Sequence, residues 1–239
     1  MPEPIDLPEL TPAPLGPGTL YLVATPIGNM EDITLRAIRT LRDCDLVAAE
    51  DTRHTGMLLK RLGLAKRQMS AHKFNEAKRS GEIVELLQGG GTVAMVSDAG
   101  SPGISDPGQR LVASVIVAGC RVETVPGACA LVVALTASGL ATDEFHFVGF
   151  LPVKSGQRAR RLTTLLELPG TLALYESPYR VVKLLRELAE VAPGRPVVLA
   201  RELTKKFEQI QRGLPVELLA EYTDRKPKGE FVVLVGRAD

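Results

Sequence analysis

Five short segments gather glycine, proline and carboxylates where apolar runs of the sequence end. The longest, Asp98-Ala99-Gly100-Ser101-Pro102-Gly103-Ile104-Ser105-Asp106-Pro107-Gly108, holds three glycines, two prolines and two aspartates in eleven residues. Glycine removes the steric barrier that keeps backbone N–H and C=O groups away from a flat or ribose-bearing ligand. Asp98, at the end of an apolar run, offers acceptors to hydroxyls. Gly103 and Gly108 match half of a phosphate loop, but Gln109-Arg110 stand where Lys-Ser/Thr is required, so ATP hydrolysis gains no support. Thr25-Pro26-Ile27-Gly28-Asn29-Met30-Glu31-Asp32 is not G-x-G-x-x-G and reads equally well as a tight strand-to-helix turn. Val125-Pro126-Gly127-Ala128-Cys129-Ala130 opens a helix with small residues, leaving room for a ligand against the main chain. Cys129 lacks a histidine in any triad-like context and reads as a small apolar residue rather than a nucleophile. In Tyr175-Glu176-Ser177-Pro178-Tyr179-Arg180 the acid and base serve either a ligand or each other. Ala200-Arg201-Glu202-Leu203-Thr204-Lys205-Lys206 is the fifth segment. Each loop alone is a weak signal; together they suit an adenosine-bearing cofactor.

Charge is segregated although it nearly cancels, with 29 Lys and Arg against 28 Asp and Glu. Between Arg53 and Arg79 lie Arg53, Lys60, Arg61, Lys66, Arg67, Lys73, Lys78 and Arg79 with Glu76 as the one acid. Lys154, Arg158, Arg160 and Arg161 form a second cluster, and Lys205-Lys206 a third. Clustered cations supply phosphate contacts and steer a polyanion; the plainer reading is solvated helix faces. Aromatics are 4% of the chain and tryptophan is absent, which argues against a sugar groove or a platform of stacked rings. His54, His72 and His146 are too scattered for a metal site. Cys44, Cys120 and Cys129 form no CxxC and no disulfide framework, as in a reducing cytosol. The start has no secretory pattern, and the longest apolar stretch, Ala128 to Ala141, is interrupted by Thr136, Ser138 and Gly139. A soluble cytoplasmic protein without metal or membrane is expected.

These loops need strands and helices to hold them. Prolines at 2, 4, 8, 12, 14 and 17 predict a disordered tail over 1–17. Apolar runs at Thr19–Ala24, Leu46–Glu50, Thr92–Ser97 and Arg121–Val125 predict buried strands. Helical spacing separates them: Ile33, Ala37, Leu41; Leu58, Leu59, Leu62; Ile83, Leu86, Leu87; and Leu111 to Val117. Asp106-Pro107 reads as the cap and first turn of the last, and Gly89-Gly90-Gly91 as a helix stop. Beyond Pro126 the pattern predicts a helix at Ala128–Leu140 and strands at Phe145–Leu151, Thr171–Glu176, Val197–Glu202, Phe207–Arg212 and Phe231–Arg237. Helices are expected at Gln157–Glu167 and Tyr179–Val191. The reading is an α/β protein of two lobes, 18–126 with a largely parallel sheet and 127–239 with mixed strand order.

TPIGNMEDITLRA, AAEDTRHT, SDAGSPGISDPG, VPGACA, YESPYR and ARELTK, in this order, resemble the tetrapyrrole (corrin/porphyrin) methylase family, and within it the bacterial enzymes that methylate small-subunit ribosomal RNA. The resemblance runs from about Gly18 to Arg237. It implies two α/β lobes with S-adenosyl-L-methionine in the cleft between them, usually a homodimer. It also implies 2′-O-methylation of a cytidine ribose in the decoding region of 16S rRNA, with the 30S subunit or its RNA as substrate. By matching motifs it assigns cofactor contacts to Pro26, Asp98, Gly100, Ser101, Pro102, Ile104, Ser105, Cys129, Ala130, Glu176 and Leu203. Ser101 stands where relatives carry Asp, and TPIGNMED replaces their G-x-G-x-G-Asp.

Methyl transfer to a ribose hydroxyl needs alignment and a base. Polarity and position at strand ends nominate Asp51, Asp98 and Glu176 as proton acceptors. Arg53 and Lys205 are nominated to hold phosphate or a developing alkoxide. Two alternatives remain at this point: a small-molecule tetrapyrrole methylase using the same cofactor, and a non-enzymatic RNA-binding assembly factor.

Overall fold

The computed structural model describes residues 13–222 and 227–237. Residues 1–12 of the expected tail lie outside them. At its other end the segment is tied down, the Gly16 N–H donating to the Tyr21 hydroxyl at 2.7 Å and the Gly18 N–H to Gly91 O at 3.0 Å. The chain forms two compact units. The first holds the residues up to Val23, Leu35–Asp98 and Pro107–Val125; the second holds Ala24–Thr34, Ala99–Asp106 and the chain from Pro126 onward.

The first unit contains β1 (Thr19–Val23), α1 (Leu35–Asp43), β2 (Leu46–Ala49), α2 (Thr52–Arg61), β3 (Gln68–Ser70), α3 (Glu76–Gln88), β4 (Thr92–Val96), α4 (Gln109–Val117) and β5 (Arg121–Val125). Its sheet is wholly parallel in the order β3-β2-β4-β1-β5. Helices cover both faces of such a sheet, so its strands read as unbroken apolar runs; β2 and β4 are buried at every position. Leu20, Leu46, Val93 and Met95 pack with Ile83 and Leu87 of α3 and Leu111 and Val115 of α4. Gly89 caps α3, as the glycine run predicts.

The second unit contains α5 (Ala130–Ser138), β6 (Phe145–Gly149), α6 (Ser155–Leu166), β7 (Thr171–Glu176), α7 (Val181–Val191), β8 (Val197–Arg201), β9 (Gln209–Gly213), α8 (Pro215–Glu221) and β10 (Phe231–Val235). The sheet order is β6-β7-β10-β8-β9, with β6 parallel to β7 and the remaining pairs antiparallel. Alternation along β10 feeds two cores. Phe231, Val233 and Val235 meet α6, α7 and α8, while Val232 and Leu234 meet Leu131, Ala134 and Leu135 of α5.

Three expectations need correction. Asp106 does not cap α4: Gly108, at φ 140°, stands at that position without a side-chain bond. In its place one oxygen of the buried Glu76 accepts from the N–H groups of Gly108, Arg110 and Leu111 at 3.0, 3.1 and 3.1 Å. The strand expected at Phe207–Arg212 starts at Gln209, because Glu208 closes a turn onto Lys205 O and Thr204 N. Arg158 is no surface cation. Its guanidinium, 2% exposed, forms a two-pronged pair with Glu187 of α7 at 2.7 Å on both prongs.

A buried pair broken on one side leaves an uncompensated charge. Glu187→Ala is therefore expected to destabilise the second unit by about 3–5 kcal/mol. Arg158→Met combined with Glu187→Leu is expected to recover most of that loss, as read by denaturant unfolding.

Candidate active site

Within the second unit, four of the sequence-nominated loops meet around short backbone contacts. Thr25 and Gly100 exchange two backbone hydrogen bonds, N to O at 2.9 and 3.1 Å, forming an isolated antiparallel bridge. Gly100 has φ +76°, and a Cβ there would lie 3.4 Å from Ile27 Cγ2 and 3.6 Å from Ala128 O. At Gly127 a Cβ would come within 2.9 Å of the Ala24 Cβ. Gly28 is held against the last loop: a Cβ there would sit 3.1 Å from Leu203 O, and the next N–H, of Asn29, donates to Thr204 Oγ1 at 3.2 Å. Gly149 is equally close to Ser105, with 2.7 Å from a built Cβ to Oγ.

The backbone is strained at the same places. Among the described residues, Ser105, Glu202 and Thr204 are the non-glycine residues at positive φ, at 65°, 49° and 64°. Such conformations cost on the order of 1–3 kcal/mol each and persist where surrounding structure enforces them, typically in ligand-binding segments. All three lie in loops that the sequence nominates.

Beneath these loops the surface is apolar. Ile27, Cys129, Ala130 and Tyr175 pack with Leu203 on the α5 core. Burial pushes the pKa of the Tyr175 hydroxyl up to about 12, against the influence of the Leu131 N–H, so the phenol stays neutral. Glu176, 2% exposed, accepts from the Ser177 N–H at 2.8 Å and lies 3.3 Å from Arg180 Nε. Its other oxygen, Oε2, is buried with no partner. Burial raises its pKa, against the Ser177 N–H and the Arg180 charge, which pull it down. The structural-pair reading of Glu176 and Arg180 therefore holds, with one acceptor left over. Lys205 Nζ is engaged by Glu202 at 3.0 Å and Glu230 at 2.9 Å, so two carboxylates already balance its charge.

In the first unit, carboxylates collect at the carboxyl ends of β2 and β4, which are neighbours in the sheet. Asp51 caps α2, accepting from the Arg53 N–H at 2.8 Å and binding the Arg53 guanidinium through both oxygens. Those hydrogen bonds hold its carboxyl far below the usual range, which makes Asp51 a weak proton acceptor. Arg53 is exposed, and His54 beside it sits in the first turn of α2. Asp98 Oδ1 accepts from the Asp51 N–H at 3.3 Å. Glu50, absent from the sequence-based nominations, is half-buried beside them. Desolvation first, and then the neighbouring Asp98 charge, raise its pKa, while the Asp98 N–H opposes this. Its one signal in the sequence is that it is the carboxylate ending the β2 run.

The tetrapyrrole (corrin/porphyrin) methylase family model matches residues 19–218. The chain belongs to this family. A protein of Mesorhizobium japonicum named ribosomal RNA small subunit methyltransferase I is 48% identical over 233 residues, 97% of this chain and 79% of that one. A protein of the same name from Synechocystis is 48% identical over 92% of this chain and 80% of its own. The crystal structure of a uroporphyrin-III C-methyltransferase from Thermus thermophilus complexed with S-adenosyl homocysteine shares the fold. It aligns at a TM-score of 0.64 with 22% identity, over 91% of this chain and 97% of that one. Among the described residues no helix is long and apolar enough to cross a membrane.

The glycine bridge is open to test. An alanine at position 100 must adopt a left-handed backbone at a cost of about 1–2 kcal/mol. Gly100→Ala is expected to leave the protein folded and to weaken S-adenosyl homocysteine binding roughly tenfold in calorimetry.

Proposed function

We propose that this protein is an S-adenosyl-L-methionine-dependent methyltransferase of small-subunit ribosomal RNA, forming a 2′-O-methylcytidine in the decoding region of 16S rRNA. The observation that carries the reading is 48% identity over 97% of the chain to a protein named ribosomal RNA small subunit methyltransferase I; the cytidine 2′-hydroxyl is what the family resemblance adds. The loops fit the methyl donor on their own terms. Gly100 and Gly127 let the loops close on one another, against Ile27, Ala128 and Ala24. Ile27, Cys129, Ala130 and Leu203 offer an apolar bed for a purine ring, and Glu176 Oε2 offers an unused acceptor to a hydroxyl or amine. Pro26, Ser101, Pro102, Ile104 and Ser105 complete the same loops, and the substrate class makes the cytoplasm the place of action.

When bound, the donor supplies an electrophilic methyl group on a sulfonium. The protein's own work is to align a ribose hydroxyl with it and to accept the hydroxyl proton. Of the carboxylates at the ends of β2 and β4, Glu50 suits that proton best. Its raised pKa brings it nearer neutrality, whereas Asp51 is committed to Arg53 and the α2 cap. Asp98 holds the Asp51 backbone in place, and the exposed Arg53 can meet a phosphate.

Incubating the protein with labelled donor and 30S subunits, followed by mass mapping of the 16S RNA, is expected to locate one 2′-O-methylcytidine. Label appearing in uroporphyrinogen instead would establish the small-molecule reading, and no donor binding would establish the non-enzymatic one. Glu50→Gln is expected to lower kcat by about 10²–10⁴-fold, and Asp51→Asn much less. Protonation removes the base, and a raised pKa means that this happens at higher pH. The acid limb of kcat should therefore lie above the ordinary glutamate value of about 4.3 and disappear in Glu50→Gln.

A further inference from the structure

The segment from Arg53 to Arg79 carries eight cations, and the structure removes its one acid from the surface. Glu76 is 6% exposed and turned onto the start of α4. Arg53, Lys60, Arg61, Arg67, Lys73 and Lys78 are exposed. Arg53 pairs with Asp51 and Arg79 with Glu82; next to Lys73 in this basic segment stands Phe74, a ring 94% exposed to solvent.

Nothing about the local fold obliges a phenylalanine to stand there, and the turn that carries it is firmly built. Asn75 Oδ1 accepts from the His72 N–H at 2.8 Å, and Asn75 Nδ2 donates to Ser70 O at 3.1 Å. The Phe74 N–H donates to His72 Nδ1 at 3.2 Å, and the His72 ring meets the Phe74 ring edge-on at 6.1 Å between centroids. The N–H groups of Asn75 and Glu76 both reach His72 O at 2.9 Å. The ring is thus presented on a rigid base, with Lys73 beside it and Lys78 in the first turn of α3.

We propose that Phe74 is a base-stacking residue, receiving an unpaired base of a single-stranded RNA segment whose phosphates are held by Lys73 and Lys78. The proposal rests on the reading of the substrate as RNA. Sequence-specific RNA binding commonly splays bases onto aromatic side chains while cations track the backbone, and this turn combines the two. A low overall aromatic content argues against a platform of several rings; one ring in a cationic setting is enough to seat one base. The turn follows the carboxyl end of β3, two strands away from Asp98 at the end of β4 in the order β3-β2-β4. Glu50, at the end of β2, is one strand away at the roughly 4.8 Å spacing of neighbouring strands, and Phe74 stands four residues beyond Ser70, where β3 ends. A base stacked on Phe74 therefore lies within a short stretch of RNA from the proposed proton acceptor.

The chain contains no tryptophan, so Phe74→Trp introduces a single fluorescent reporter at the site. Titration with 30S subunits and with a decoding-region RNA oligonucleotide should quench it, with affinity and turnover close to those of the parent protein. Phe74→Ala should raise the KM for RNA at least about fivefold without changing donor affinity or the slope of log K against log salt. Lys73→Ala should instead reduce the magnitude of that slope by about 0.7. Unchanged RNA affinity in Phe74→Ala, no quenching in the tryptophan variant, or failure of Phe74→Tyr to preserve affinity each overturns the stacking role. None of these disturbs the methyltransferase reading if the parent protein still methylates RNA. A shift of Phe74→Ala from dimer to monomer with RNA binding intact would assign the ring to a protein contact and likewise overturn the proposal. A parent protein that neither binds nor methylates RNA overturns both.

Discussion

One buried carboxyl group does two jobs in the first unit. The start of a helix leaves backbone N–H groups without partners, and α4 begins with a proline and a glycine, neither of which brings a capping side chain. Glu76 supplies the missing acceptor from the first turn of α3, one oxygen to three N–H groups. Burying a carboxyl group is costly unless it is fully hydrogen-bonded, and three donors offset that cost. This contact fixes the point at which the chain leaves the loop 99–106 and re-enters the helix. It also withdraws the one acid of the segment 53–79, so that the cations there not held by Asp51 or Glu82 are free to attract anions.

The loop released at that point is held at both ends and strained in between. Gly100 is bonded to Thr25 across the bridge, Gly103 and Ser105 are left-handed, and Ser105 lies against Gly149. The partner loop after β8 repeats the device, with Glu202 and Thr204 left-handed and Glu202 tied to Lys205 and to the Glu230 N–H. Backbone held in sparsely populated conformations by hydrogen bonds and close packing is preorganised. Its groups face a ligand without first losing entropy. That serves a reaction in which alignment of donor and acceptor contributes most of what the protein can add.

Strands buried on both faces were legible in the sequence, because burial demands continuous apolar runs; β1, β2, β4, β7, β8 and β10 begin where those runs predict, as does the edge strand β5. The elements that escaped are those with weak local signals. Strand β3 is Gln68-Met69-Ser70, three half-buried residues at a sheet edge. Helix α8 spans seven residues, opened by Pro215 and by the Leu214 N–H donating to the Glu217 carboxylate at 2.8 Å. The α4 cap could not be read locally, since its acceptor lies 32 residues upstream of Gly108. Arg158 looked like a surface cation because its partner is 29 residues further on. The site loops were visible through their glycine and proline content. Glu50 was hidden at the end of a strand, where only the neighbouring carboxylates of Asp51 and Asp98 give it chemical interest.

Charge alone does not separate RNA from a carboxylate-bearing macrocycle, because both are anions. Extent does. The exposed cations are spread over α2, the approach to β3, the turn before α3 and the first turn of α3 itself. Helix α2 alone spans ten residues, about 15 Å at 1.5 Å per residue. A compact polyanion is bound by cations converging on one point, and three cations of the second unit already have partners: Lys205 in Glu202 and Glu230, Arg158 in Glu187, Arg180 in Leu151 O and Glu176. With Arg53 held by Asp51, Lys60, Arg61, Arg67, Lys73 and Lys78 form a track rather than a cup. A track suits a chain of phosphates, whose binding gains from each counterion released along its length. Of the three carboxylates at the ends of β2 and β4, Asp51 takes the one cation among them, Arg53, and neither Glu50 nor Asp98 forms an ion pair with a cation among the described residues.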